Sequence, residues 1–141
     1  MNFDILWPSV DMSEKWKREE PADLNDTSIV TRVEFTSGEN SFCAYFTGDI
    51  PKEILERIIS KQCKILKISH HGSKTGTNQE VLDQARPDIA IIELGKNSYG
   101  HPHKEVLDLL KSKSIEVYRT DTDGQVEITF DHGNFKIRRA N

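Results

Sequence analysis

Apolar and polar residues alternate along this chain with two different periods, which together predict strands and helices in one fold. Residues 28–36 and 41–47 alternate apolar and polar side chains on either side of Ser37-Gly38-Glu39-Asn40, so we predict a β-hairpin. Residues 88–94 are a nearly continuous apolar run, which is typical of a central strand. Further strands are predicted at residues 3–7 (an edge strand ended by Pro8), 63–69, 115–119, 125–130 and 135–139.

Helices are predicted between these strands where apolar residues recur three and four positions apart. Pro51 suits the first turn of a helix running to about Lys61. Thr77-Asn78-Gln79-Glu80 fits a capping box that opens a short helix, and Pro102 opens another. Residues 9–26 are charged and polar and are predicted to form a loop or a partly ordered linker. The pattern predicts one α/β domain over residues 1–141, with a mixed β-sheet and helices on one face.

Composition narrows the function classes only modestly. The chain has 141 residues, a hydrophobic fraction of 35% and a net charge of −4. This acidic balance gives no general attraction for nucleic-acid phosphates, which argues against a stand-alone DNA-coating module. An apolar run of 18 residues is absent from the sequence, and its start lacks the features of a signal peptide. Cys43 and Cys63 form no C-x-x-C pair, and we predict two buried free thiols.

Two segments place metal-ligand side chains at the ends of predicted strands. They are Phe46-Thr47-Gly48-Asp49 and Ser69-His70-His71-Gly72-Ser73. A carboxylate and an imidazole held there could share a divalent metal ion. Adjacent residues at a strand end point to opposite sides, so only one of the two histidines readily faces Asp49. The alternatives stay open: Asp49 could cap the following helix, and both histidines could be solvated loop residues.

The remaining candidates lie in loops. In Tyr99-Gly100-His101-Pro102-His103, two imidazoles stand at the mouth of a helix, which suits an anion but equally suits a capping loop. The segment Arg119-Thr120-Asp121-Thr122-Asp123-Gly124 lacks the later ligands of a calcium loop and is predicted to be a hairpin turn. A second hairpin turn is predicted at residues 131–134, with His132 exposed. Residues 1–69 contain no histidine, so the sequence holds part of a metallohydrolase site rather than a whole one.

An ordered series of motifs resembles the C-terminal half of the metallo-β-lactamase-fold domain of ComEC-type competence (DNA-uptake) proteins. The resemblance covers residues from about 5 to 130. It is carried by Leu24-Asn25-Asp26-Thr27-Ser28-Ile29-Val30, Phe46-Thr47-Gly48-Asp49, Leu66-Lys67-Ile68-Ser69-His70-His71-Gly72-Ser73-Lys74-Thr75, Gly95-Lys96-Asn97-Ser98-Tyr99-Gly100-His101-Pro102-His103 and Tyr118-Arg119-Thr120-Asp121 followed by Gly124. The implied fold is one half of an αββα sandwich.

This resemblance also implies a chemistry and a set of residues. The implied activity is metal-dependent hydrolysis of a phosphodiester such as DNA, with paired zinc or manganese ions activating a water. Asp49 is then a bridging metal ligand and His71 a second ligand, with His70 as the alternate, and Asp49 and His71 form the catalytic pair. The implied substrate-binding residues are His70, Ser73, His101 and His103.

The chain departs from the family where most of the metal ligands should be. Its relatives carry a His-x-Asp-x-Asp-His-type segment upstream, and one Asp and one His fall short of the three protein ligands of a catalytic zinc. We therefore expect this chain alone to be inactive and to bind metal weakly or not at all. Its expected partner is the missing N-terminal half of the domain or a second copy in a homodimer, packed on the apolar sheet face.

A non-catalytic reading is the alternative. The chain would then be a binding or assembly domain that retains half of the metallo-β-lactamase fold and holds an anion or a partner. In either case we expect that this segment does not insert into a membrane. It would be a soluble domain, attached to a bacterial membrane protein of DNA uptake if such a protein is its parent.

Overall fold

The computed structural model describes residues 1–131 and 134–140. Within them, six strands form one mixed sheet in the order β1-β2-β3-β4-β5-β6. Strands β1 to β3 pair antiparallel, and β3 to β6 pair parallel. A further antiparallel pair, β7–β8, forms a second sheet. The bounds are β1 Asn2–Trp7, β2 Val30–Ser37, β3 Asn40–Phe46, β4 Ile65–Lys67, β5 Ile89–Ile92, β6 Glu116–Arg119, β7 Gln125–Asp131 and β8 Asn134–Ala140. The predicted α/β class and mixed sheet are confirmed.

The helices connect the strands in the predicted order, but the one that follows Pro51 ends at Ile58 rather than at about Lys61, and the one predicted to open at Pro102 begins at Lys104. Their bounds are α1 Val10–Trp16, α2 Lys52–Ile58, α3 Gln79–Ala85, α4 Lys104–Ser112 and α5 Thr120–Asp123. Short 3-10 turns occupy Leu24–Thr27 and Ser69–Gly72. Helix α3 begins one residue later than the predicted capping box, because the side chain of Asn78 accepts the hydrogen bond from the backbone N–H of Val81.

Helices α2, α3 and α4 cover one face of the sheet, as predicted. Leu55 of α2, Leu82 of α3 and Leu110 of α4 are almost fully buried against apolar side chains of the strands. The buried strand residues of this cluster are Val30, Tyr45, Leu66, Ala90 and Ile92. Burial of these side chains is the main force that fixes the helices on the sheet.

The β7–β8 hairpin covers part of the opposite face. Its apolar side chains, Val126, Ile128, Phe130, Phe135 and Ile137, pack on a cluster that includes Phe42, Ala44, Ile65, Ile89 and Tyr118. The rings of Phe42 and Phe130 meet edge to face with centroids 4.7 Å apart. By strand register, Phe3, Ile5 and Phe46 belong to the same face, yet they stay 62%, 69% and 47% exposed. The hairpin therefore leaves an apolar part of this face open.

The segment predicted as a loop or linker, residues 9–26, contains helix α1 instead. Ser9 caps this helix by accepting a hydrogen bond from the backbone N–H of Met12. The Trp16 ring packs edge-on against Trp7 of β1, with centroids 6.0 Å apart. Every α1 side chain is at least partly exposed, so the helix has no broad apolar stripe that the sequence pattern would reveal.

The prediction of two free thiols is wrong, because Cys43 and Cys63 form a disulfide. Their sulfur atoms are 1.99 Å apart and their Cα atoms 4.8 Å apart. Cys43 lies in β3, and Cys63 lies just before β4, which pairs with β3 in parallel. The pairing of these two strands brings together cysteines that are 20 residues apart in sequence.

The hairpin turn predicted over residues 119–124 is also wrong, since β6 and β7 belong to different sheets and α5 joins them. The Arg119 guanidinium donates two hydrogen bonds to Asp121, and its backbone N–H donates to Asp123. These carboxylates are therefore engaged by an arginine rather than arranged around a calcium ion. In the hairpin predicted at residues 131–134, Asp131 pairs with Asn134. The predicted exposure of His132 lies outside the described residues.

Candidate metal and substrate site

Three loops that carry the candidate side chains meet at one edge of the sheet. Strands β3, β4 and β5 run parallel to one another, so their carboxyl ends lie together. Asp49 follows β3, the two adjacent histidines follow β4, and the loop with His101 and His103 follows β5. In open α/β sheets, this edge is the usual place for a ligand site.

The turn that carries Asp49 is held from two sides. The backbone N–H of Asp49 donates to the Ser28 hydroxyl at 3.1 Å. Gly48 has a φ of +54°, and a Cβ at this position would lie 2.9 Å from the Cβ of Ser28, so glycine is required here. On the other side, the Gly48 carbonyl accepts hydrogen bonds from the Lys67 ammonium at 3.0 Å and from the backbone N–H of His70 at 3.2 Å.

Asp49 does not cap helix α2, so its carboxylate is available for another role. The N-cap position of α2 falls on Pro51, whose side chain can neither donate nor accept a hydrogen bond. The Asp49 side chain is 36% exposed at the edge of the sheet. The alternative that Asp49 is only a helix cap is thereby removed.

His70 and His71 form a strained turn rather than the end of a strand. Their φ angles are +50° and +54°, in the left-handed region that non-glycine residues seldom occupy. The strand itself ends at Lys67, two residues earlier than predicted. Backbone strain of this kind tends to occur at functional sites, where the surrounding structure holds it in place.

His71 is oriented as a metal ligand would be. Its Nδ1 lies 2.6 Å from the Glu93 carbonyl oxygen. Since a carbonyl can only accept, Nδ1 carries a proton, and in the neutral ring Nε2 is then the nitrogen with the free lone pair. That Nε2 lies 3.5 Å from the carboxylate oxygen Oδ2 of Asp49. Metal-ligating histidines commonly donate their other ring N–H in this way, which fixes the tautomer and the ring orientation.

The separation of these two atoms fits a shared metal ion. Two donors bound about 2.1 Å from a tetrahedral zinc are themselves about 3.4 Å apart, close to the separation of 3.5 Å between Nε2 of His71 and Oδ2 of Asp49. Among residues 1–131 and 134–140, however, groups of three or more His, Cys, Asp or Glu side chains placed to hold a metal are absent. The described part of the chain therefore brings two candidate ligands, Asp49 and His71, together.

A row of imidazoles extends from this pair. The ring centroids of His70 and His101 are 5.7 Å apart, and those of His101 and His103 are 4.7 Å apart. Burial lowers the pKa of His101, and the neighbouring histidines lower it further. His103 is fixed by its backbone N–H, which donates to the Gly72 carbonyl, and by its Nδ1, which accepts from the backbone N–H of Lys74. The β5 loop is thus docked on the loop that follows β4.

Ser73 differs from the other predicted substrate-binding residues because it is buried, with 4% of its surface exposed. Its hydroxyl lies 2.9 Å from that of Thr75 and accepts a hydrogen bond from the Thr75 backbone N–H. The structure therefore places Ser73 inside the loop, where it shapes the backbone. A direct role of Ser73 in substrate binding stays a prediction.

Sequence reasoning missed two residues that hold the site, Ser28 and Lys67. Lys67 shares a face of β4 with Ile65, and burial lowers the pKa of its ammonium group, while Asp49 and Glu93 oppose that shift. Strand alternation could have singled out Lys67, because it places this lysine on the same apolar face of the sheet as Ile65. Nothing in the local sequence pairs Ser28 with Asp49.

Similar proteins are found among the competence proteins. The chain is 38% identical over 125 residues to ComE operon protein 3 of Bacillus subtilis, and the aligned region is 84% of this chain and 16% of that protein. It is 36% identical over 129 residues to Recombination protein 2 of Haemophilus influenzae, with coverages of 83% and 16%. It is 27% identical over 145 residues to Competence protein ComA of Neisseria gonorrhoeae, with coverages of 99% and 19%. The chain is a homologue of a region of ComEC-type competence proteins.

The chain spans less than a fifth of the length of these ComEC-type relatives. None of the protein-family models matches it. Among the described residues, none of the helices has the length and apolar character needed to cross a bilayer. The ComEC-type resemblance is therefore established for one region, and the activity of the whole protein is a matter for proposal.

Proposed function

We propose that this chain is part of a metal-dependent phosphodiester hydrolase that acts on DNA in a ComEC-type competence protein. Asp49 and His71 supply two of its metal ligands. The observation that carries the proposal is the His71 imidazole, whose Nδ1 proton is committed to the Glu93 carbonyl and whose Nε2 lies 3.5 Å from the Asp49 carboxylate. The competence context of the homologues supports DNA as the substrate.

The residues of this chain have separate tasks in that reaction. When bound, zinc or manganese would activate a water and polarise a phosphoryl oxygen. Ser28 and Lys67 hold the turn that aims the Asp49 carboxylate. The lowered pKa of His101 favours its neutral ring, which can donate one N–H to a phosphate oxygen without adding positive charge beside a bound metal.

A companion is needed to complete the site. A catalytic zinc takes three protein ligands and a water, and the pair described here accounts for two. The companion is the N-terminal half of the same domain or a second copy of this chain. Two observations support it: the relatives are more than five times longer than the aligned region, and apolar Phe3, Ile5 and Phe46 stay exposed on the sheet face. We therefore expect this chain alone to hydrolyse DNA weakly or not at all.

Metal stoichiometry tests the proposal most directly. The chain is incubated with zinc or manganese, freed of excess metal and measured by mass spectrometry, beside Asp49→Ala and His71→Ala. Asp88→Ala is a matched control, because Asp88 is exposed and lies before β5, at the opposite end of the parallel strands. Because two protein ligands hold a metal ion only weakly, the expected result is a low metal content that both site variants lose and the control keeps, and that rises when the companion is present. Equal metal content in all four proteins would contradict the assignment of the ligands.

Light scattering tests which companion completes the site. A dimer at high concentration that binds metal with both copies supports the second copy, and a monodisperse monomer leaves the other half of the domain as the companion. If the chain retained oligonucleotide but bound no metal in any form, the non-catalytic binding domain would replace the hydrolase as the function.

A further inference from the structure

The loop between β5 and α4 is organised around one asparagine. The side-chain amide of Asn97 donates to the carbonyls of Gly95 and His101, at 3.1 and 3.0 Å. Its carbonyl oxygen accepts from the backbone N–H groups of Tyr99 and His101, at 3.2 and 3.1 Å. All four hydrogen bonds close within the loop, so the backbone at Tyr99 has a defined position.

This rigid loop presents an aromatic ring to solvent beside the candidate site. Tyr99 is 77% exposed. One side of its ring is stacked on His101, with centroids 6.0 Å apart and ring planes 30° apart. His101 in turn contacts His70, which adjoins the proposed ligand His71. A single exposed aromatic residue is ordinary on a protein surface. The backbone of Tyr99, however, is fixed by hydrogen bonds to Asn97, and its ring extends the row of imidazoles.

We propose that Tyr99 is a stacking platform for an unpaired nucleobase, so that the site takes single-stranded DNA or an unpaired strand end rather than intact duplex. This inference rests on the proposed function and names its substrate class. An aromatic face binds any base that is not already stacked, whereas the bases of a duplex are stacked on each other and out of reach. Lys74 and Lys96, both exposed in the same two loops, offer positive charge to the phosphates of such a strand.

Binding of labelled oligonucleotides in the presence of a chelator tests the proposal without hydrolysis. The probes are a fluorescent oligothymidylate and an abasic strand of the same length, which keeps the phosphates but has no bases. The variants are Tyr99→Ala and Tyr99→Trp. Val10→Ala serves as the control, because Val10 is an apolar residue, 78% exposed, on α1, which follows the edge strand β1 and carries none of the candidate site residues. Thermal unfolding of each variant checks that the fold is kept.

The expected result is a preference of the wild-type chain for oligothymidylate over the abasic strand. Tyr99→Ala should lose about fivefold or more in affinity for oligothymidylate, the range for one stacked base, with little change for the abasic strand. Tyr99→Trp and Val10→Ala should bind at least as tightly as wild type. Equal binding of oligothymidylate by Tyr99→Ala and wild type, equal binding of both probes by wild type, or no binding at all would overturn the proposal.

Hydrolysis of the abasic strand by the chain with its companion separates this inference from the function on which it rests. That strand has phosphodiester bonds but no aromatic ring that could stack on Tyr99. Activity that depends on Asp49 but is unchanged in Tyr99→Ala, together with oligonucleotide binding that ignores Tyr99, would refute the stacking role alone. Base-dependent binding through Tyr99 without metal-dependent activity would refute the hydrolase alone.

Discussion

Opening the disulfide between Cys43 and Cys63 is expected to destabilise the domain by several kcal/mol. The bond ties β3 to the segment that enters β4, and it closes a loop of 20 residues that contains the Asp49 turn and helix α2. Cys63 is 2% exposed, while Cys43 is partly exposed, so a small reductant can reach the bond from the Cys43 side.

The size of the effect follows from the length of that loop. In the chain-entropy account, closing a loop of this length removes about 11 cal/mol/K of entropy from the unfolded chain, or about 3 kcal/mol at 25 °C. For a domain of this size, the entropy of unfolding near the midpoint is about 0.3 kcal/mol/K, so the midpoint should fall by about 10 °C. The bond therefore accounts for a large share of the 5–15 kcal/mol that is typical of a whole domain, on the order of a quarter.

Denaturant unfolding with and without a phosphine reductant measures this difference. The double variant Cys43→Ala/Cys63→Ala is the matched control, since alanine avoids placing a serine hydroxyl in the buried Cys63 position. The reduced wild type and the double variant should unfold at similar denaturant concentrations, both below the oxidised wild type. The reductant should leave the double variant unchanged.

Two results would refute this reasoning. One is a wild-type chain, purified without reductant, that yields two reactive thiols when it is unfolded, because the bond would then be absent. The other is a reduced chain that is as stable as the oxidised one. In that case, the strand pairing of β3 with β4 would hold the two segments without help from the disulfide.

The remaining predictions concern single positions. Gly72 has a φ of +80°, and a Cβ at this position would lie 2.6 Å from Pro102. Gly72→Ala should therefore lose more stability than Gly100→Ala, because Gly100 has a similar φ of +76° but open space around it. Both variants bear the cost of about 1–2 kcal/mol for a left-handed alanine, so the difference between them in calorimetry measures the contact between the two loops. Asn78→Ala should cost about 1 kcal/mol by removing the cap of α3, as judged by denaturant unfolding. The hydrogen-bonded guanidinium of Arg119 holds the pKa of Asp121 below its usual value, so the folded state keeps this carboxylate charged to lower pH than the unfolded state does. The stability that Asp121 contributes is present above about pH 4 and is lost as the pH falls through its folded pKa. In a plot of the free energy of unfolding against pH, Asp121→Asn should therefore reduce the slope at acidic pH. An unchanged slope would contradict the prediction.

Most of the fold could be predicted from the sequence because its signals are local. The alternation in β2 and β3 and the inward residues of α3 follow from burial of one face, and the apolar run of β5 follows from burial of both faces. Helix α1 was not predicted, because all its side chains stay partly exposed and it therefore shows no apolar stripe. The Cys43–Cys63 disulfide was not predicted, because it depends on the pairing of β3 with β4, and the spacing of the cysteines along the chain does not show which strands pair.

For the candidate site, sequence patterns identified the candidate side chains but not the contacts that hold them in place. The motifs led to Asp49 and His71, whereas alternation at a strand end left His70 as an equal choice. The turn at these histidines is left-handed, so the rule of opposite sides does not apply to it. The orienting acceptor is a backbone carbonyl, at Glu93, and any residue type could supply it. Such a contact leaves no mark in the sequence.

The strain at His70 and His71 is the strongest internal argument that this edge of the sheet has a function. A left-handed conformation costs an ordinary residue about 1–2 kcal/mol, and glycine would adopt it at little cost. Arg86 and Ser114 adopt this conformation singly elsewhere, whereas His70 and His71 are two consecutive non-glycine residues that both adopt it. The loop is held in that conformation by hydrogen bonds from the His70 N–H to the Gly48 carbonyl and from His71 Nδ1 to Glu93. The second of these bonds orients the His71 ring toward Asp49, so the strained conformation is also the one that brings the two candidate ligands together.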